Sequence, residues 1–141
     1  MMNRRDAIAA FAFVAEWLAA GDPAAAQSPT APAAPRPPVF TQDLPNVTLD
    51  GWEVTANVVD YMPGHVGVPH RHAGFVLVYV LQGTVIAKVT GSEERTYRAG
   101  EMFYEHPGST HEVSKNASAT QPARLLAMIF AKKGSTLTVP V

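Results

Sequence analysis

From Trp52 onward the chain is a series of short β-branched and aromatic runs, each stopped by glycine or proline before a helix of useful length could form. Trp52 to Tyr61 alternates in strand fashion. Phe75 to Leu81 is continuously apolar, and Gln82-Gly83 separates it from Thr84 to Thr90. Gly91-Ser92 opens a turn before Thr96-Tyr97-Arg98, and a turn at Pro107-Gly108 divides Met102 to Glu105 from His111 to Ser114. Ala123 to Ala131 is a further apolar run. Its periodicity alone would allow a short helix, but its length and neighbours favour a strand. Many short strands at regular spacing are expected to close as a sandwich or barrel, so the fold class is all-β.

The N-terminal part has a different texture. Arg4 and Arg5 precede an apolar segment from Ala7 to Ala20, and Ala24-Ala25-Ala26 offers a small-residue cleavage pattern before Gln27. The apolar segment is short for a bilayer span and carries Glu16. Residues 1–26 therefore read as a signal peptide, with a helical segment, directing export to the periplasm or beyond. The paired arginines fit the twin-arginine route, although Ala7 stands where that signal prefers a bulky apolar residue. Residues 27–38 are rich in alanine and proline, as a disordered linker is. The domain is expected over residues 39–141, with no integral membrane segment. Sequons at Asn46 and Asn116 read as chance.

With a net charge of −1, the chain lacks the basic excess that a nucleic-acid partner would require. It has no cysteine, which excludes disulfides, thiolate metal sites, iron–sulfur clusters and cysteine nucleophiles. Any metal must be held by nitrogen and oxygen. All five histidines fall between His65 and His111. His70 and His72 are two apart, so in a strand both rings leave the same face. His111 opens another strand and could complete a site from across a barrel. Such imidazoles suit a divalent transition metal such as iron, manganese, nickel, copper or zinc.

The frame around these histidines resembles the cupin superfamily. Gly64, five intervening residues, His70-Arg71-His72 and Gly83 match its first motif; Gly100, the Pro107-Gly108 turn, two residues and His111 match its second. The resemblance covers roughly residues 63–116. It implies a small antiparallel β-barrel or jelly roll with His70, His72 and His111 as metal ligands, commonly paired as a homodimer. Three positions depart from the pattern. Val76 stands where the first motif has a glutamate ligand, in strand phase with the two histidines, so it should face the pocket without ligating. His106 occupies the place of a proline, which comes one residue late at Pro107, and Asn116 is likewise one residue late.

Without that glutamate the motifs supply three neutral imidazoles and leave open positions, as some cupin oxygenases do. Glu105, His106, Gln82 and His65 are candidates for a fourth ligand. Glu105 reads more simply as an exposed or hydrogen-bonded carboxylate, His106 and His65 as loop residues, and Gln82 as part of a hairpin. Arg71 should point away from the metal. Tyr104 is the candidate catalytic side chain, because a phenol can position a substrate oxygen. Tyr61, Tyr79, Phe103, Met102 and Met128 read as core. The functional expectation is a metal-binding cupin, an oxygenase-like enzyme (or a lyase or isomerase) acting on a small organic substrate. The alternative is a non-catalytic module that holds a metal or a small apolar ligand for sensing or storage.

Overall fold

The computed structural model describes residues 35–141, which contain nine strands and no helix. The strands are β1 Trp52–Tyr61, β2 His70–His72, β3 Phe75–Gln82, β4 Thr84–Val89, β5 Arg95–Arg98, β6 Met102–Glu105, β7 Thr110–Asn116, β8 Ala123–Lys132 and β9 Thr138–Pro140. The expected runs are therefore strands, including Ala123 to Ala131. The signal segment 1–26 and linker residues 27–34 lie outside the described residues; residues 35–38 carry no regular structure and are exposed. No helix among the described residues is long and apolar enough to cross a membrane.

All pairings between the strands are antiparallel. They build a four-stranded sheet ordered β1-β8-β3-β6 and a five-stranded sheet ordered β5-β4-β7-β2-β9. Alternation assigns the faces. Val76, Val78 and Val80 of β3 meet Val85 and Ala87 of β4, Phe103 of β6, and Leu125 and Ile129 of β8 in one interior cluster. Burying each of these larger side chains is worth about 1.5–3 kcal/mol. The opposite face of β3 is also apolar. Phe75 is buried there, stacked on Phe130 with centroids 4.7 Å apart and flanked by Trp52 and Tyr104. The unbroken apolar run of β3 thus reflects two covered faces.

Two glycines fix how the strands join. Gly74 links β2 to β3 where a Cβ would stand 1.9 Å from the Phe130 carbonyl oxygen, so no larger residue fits without moving the backbone. Gly83 turns β3 into β4 at φ +74°, in the left-handed region that glycine enters without cost.

Asn116 closes the end of β7. Its amide Nδ2 donates toward the carbonyls of Tyr61, Met62 and Gln121, and its Oδ1 accepts from the Ser118 amide. One buried side chain therefore ties the ends of β1 and β7 to the loop before β8, and its burial is incompatible with a glycosylated sequon. Asn116→Ala would leave several carbonyls without their partner. We expect a loss of about 1–3 kcal/mol, measured by chemical denaturation, with no change in the histidine cluster.

Candidate metal centre

The five-stranded sheet carries the histidines. In the β2–β7 ladder His70 lies directly opposite His111, so the two rings are cross-strand neighbours with centroids 5.1 Å apart. His111 does not approach from across the barrel, as its place at the opening of another strand suggested. It stands on the adjacent strand of the same sheet. The His72 ring is edge-on to His70 at 4.9 Å. Arg71, between them, points outward, and its Nε donates to Thr110 Oγ1 at 2.9 Å.

A bulge aims His111. Lys88 pairs with Val113 and Val89 with His111, which leaves Glu112 as an extra residue in β7. His111 and Ser114, three residues apart, consequently both face inward and are buried. Strict alternation would have put them on opposite faces.

The residue that reaches this cluster from the opposite sheet is Glu105. It is not exposed: only 4% of its surface is accessible. Its Oε1 is 3.3 Å from His111 Nδ1, and its Oε2 is 3.6 Å from His72 Nε2. Ligand atoms of His70, Glu105 and His111 all fall within 4.8 Å of one another. Glu105 pairs with Val76 in the β3–β6 ladder. Directly opposed residues share a face, so the carboxylate comes from the cross-strand neighbour of the valine that departs from the first motif.

Backbone carbonyls orient two of the rings. His70 Nδ1 is 2.9 Å from the Val68 carbonyl, and His72 Nδ1 is 2.9 Å from that of Leu137, with Thr138 Oγ1 at 3.1 Å. A carbonyl only accepts, so each Nδ1 carries the proton and each Nε2 keeps its lone pair for the centre. Burial lowers the His70 pKa below 6.5, partly offset by the bond to Val68, which favours the neutral ring a metal needs. His111 Nε2 is buried with no hydrogen-bond partner. A buried carboxylate, three imidazoles, two of them tautomerically fixed, and an orphaned ring nitrogen fit a cation bound among them.

The cluster opens into a cavity of about 220 Å³ between the sheets. Val59, Val78, Phe103, Leu125, Ala127 and Ile129 form its apolar walls. Tyr61 also lines it, hydrogen-bonded to Ser114 and packed at a tilt against His65, with centroids 4.5 Å apart. Burial pushes the Tyr61 pKa up, the bond to Ser114 pulls it down, and the charge of Glu105 adds to the rise, so the phenol stays protonated. Tyr61 is thus the phenol in the cavity. Tyr104, the sequence candidate, leaves the opposite face of β6 from Phe103 and Glu105 and packs toward Phe75. Neighbours on one strand cannot share a face. His65 packs on Tyr61 and is not among the clustered ligand atoms, and His106 and Gln82 are exposed. The contributions of Val68, Leu137 and Thr138 had no motif to announce them. The alternating Thr138-Leu137 tail could have been read as a final edge strand.

Comparison with known proteins follows the same line. No curated protein sequence matches this chain. Among solved structures it is similar to an uncharacterized conserved protein with a double-stranded β-helix domain from Klebsiella pneumoniae (18% identity, 62% of this chain and 74% of that one, TM-score 0.53). It is similar to oxalate oxidase in complex with the substrate analogue glycolate (24% identity, 73% and 63%, TM-score 0.53). It is also similar to a DMSP lyase from Ruegeria pomeroyi (19% identity, 62% and 43%, TM-score 0.55). These likenesses are of fold, and the chain spans less than two thirds of either enzyme. Residues 57–129, more than half the chain, match the family model of the cupin domain, and the chain belongs to the cupin family.

Proposed function

We propose that the chain binds one divalent transition-metal ion through His70, His72, His111 and Glu105 and acts on a small organic molecule in the adjoining cavity. The observation that carries this reading is the environment of Glu105. A carboxyl group buried among imidazoles, with no lysine or arginine lining the cavity, is an environment that a bound cation satisfies, since the ion supplies the counter-charge the walls lack. Three nitrogens and one oxygen suit iron, manganese, nickel, copper or zinc. When bound, such an ion supplies Lewis acidity or dioxygen activation. The chain's own residues do the rest. The apolar walls contact the body of a bound molecule, the Val68 and Leu137 carbonyls hold two rings in place, and Tyr61 offers a protonated phenol to a substrate oxygen.

Similarity in fold to an oxalate oxidase and a DMSP lyase supports an enzyme acting on small molecules, oxygenase-like or lyase-like. A non-catalytic binding module would use the same centre without turnover. Oxygen uptake by the metal-loaded protein across a panel of catechols and dicarbonyls separates the two: stoichiometric metal with no uptake and no spectral response to any compound sinks the oxygenase reading. Export belongs to this proposal on the strength of Arg4-Arg5, the apolar segment and Ala24 to Ala26, and N-terminal sequencing of secreted protein checks it. Pairing into a homodimer belongs to it as well. Val54 and Val58 are 54% and 59% exposed on the outer face of β1, and gel filtration reads the outcome.

Two predictions address the centre itself. Glu105→Gln should weaken metal binding about 10–100-fold. Adding Val76→Glu to that variant returns a carboxylate from across the ladder and should recover at least about tenfold, because opposed Cβ atoms lie only about 4.5–5.5 Å apart. Titration with a competing chelator measures both, and an unaltered affinity in Glu105→Gln removes it as a ligand. The second concerns pH. The folded His70 value lies below 6.5, so the unfolded chain takes up the proton first. The stability contributed by the neutral ring is complete above 6.5 and is lost as pH falls below it. An NMR titration of the metal-free protein should place the His70 midpoint under 6.5, and metal occupancy should fall over the same acidic range.

A further inference from the structure

The walls of the cavity restrict the charge of what it can hold. Nine positions besides the proposed ligands line it. Six are apolar, and the other three are Asn57, Tyr61 and Thr138, all uncharged. The nearest cations by sequence are turned elsewhere. Arg71 is held outside by Thr110, and Arg124 is paired with Asp60 at 2.6 Å on the outer face of the β1–β8 ladder. No lysine or arginine lines this cavity. At about 220 Å³ the space also lies below the ~300–1,000 Å³ usual for ligand pockets.

From these observations we infer that the cavity selects a small bidentate chelator that binds with a single negative charge and carries an apolar body, and that it discriminates against dianions such as dicarboxylates. The inference rests on the metal reading of the preceding section. A divalent ion with three neutral imidazoles and the Glu105 carboxylate leaves one positive charge. A monoanionic chelator cancels it. A dianion leaves one negative charge in a largely apolar cavity with no lysine or arginine lining it, where a charge is less well solvated than in water. The walls add to the choice. Val78, Leu125, Ala127 and Ile129 gain from contact with a hydrocarbon surface and gain nothing from a second carboxylate. The protonated Tyr61 phenol and the Asn57 and Thr138 side chains provide hydrogen bonds to an oxygen, without charge.

Isothermal titration of the zinc-loaded full chain with tropolone and with oxalate tests this. Both chelate through two oxygens; tropolone binds as a monoanion with an apolar ring, and oxalate binds as a dianion. Each affinity is divided by that of the same compound for zinc in buffer, which removes the intrinsic strength of the chelating head. The ratio for tropolone should exceed that for oxalate by about tenfold or more, the effect of roughly 1.4 kcal/mol. Asn57→Arg, a change on an exposed edge strand at the rim, supplies the missing cation and should raise the oxalate ratio by about tenfold. Zinc retained at one ion per chain with oxalate favoured, or with oxalate indifferent to Asn57→Arg, overturns this inference alone. Zinc lost on dialysis overturns the metal reading and this inference with it.

Discussion

The placement of one carboxylate constrains the rest of the site. Glu105 is buried inside an apolar barrel, where an isolated anion would cost several kcal/mol. Its surroundings bear this out in detail. His111 and His72 stand within 3.6 Å, His70 offers a ligand atom within 4.8 Å, and two of the three rings are oriented by backbone carbonyls. The two sheets divide the work. The five-stranded sheet presents the imidazoles from β2 and β7, and the four-stranded sheet returns the carboxylate from β6 together with most of the apolar wall. The three imidazoles come from one sheet and the carboxylate from the other. The cluster of four side chains is a product of their packing.

Much of this was legible in the residues. The Gly/Pro-punctuated runs fixed seven of the strands, and the His-x-His spacing fixed a shared face for His70 and His72. Val76 does face the interior, although β2 and β3 belong to different sheets and no continuous strand carries the phase of the histidines to it. Three things were not legible, each for a physical reason. The bulge at Glu112 breaks the period of two, and nothing in Thr110 to Ser114 marks which residue is the extra one. The partnership of Val76 with Glu105 depends on the β3–β6 register, which is set by packing rather than by either strand's own pattern. The choice between Tyr61 and Tyr104 turned on which face of a strand points inward. In β6 both faces carry apolar or aromatic residues, so alternation gave no sign until Phe103 and Glu105 were seen to face the cavity.

Asn116 illustrates how a motif residue can keep its role while moving along the chain. It falls one residue late against the motif, yet it is buried and gathers three carbonyls from β1 and the loop before β8. The extra residue at the β7 bulge lies between His111 and Asn116, on the same strand. A one-residue insertion absorbed by a bulge shifts everything after it by one place while leaving each side chain on its original face. That accounts for the late asparagine with an inward His111 and an inward Asn116 both preserved.

The same reasoning applies to the missing glutamate. A binding centre requires a functional group at a point in space, and an antiparallel ladder offers two routes to that point, one from each of two opposed residues. Moving a carboxylate from the β3 position to its β6 partner exchanges a valine for a glutamate across about one strand spacing and leaves the volume of the interior nearly unchanged. A motif read along one strand records the first route only. The absence of its glutamate is therefore weak evidence for a three-histidine centre wherever the opposed residue is acidic and faces inward, as Glu105 does here.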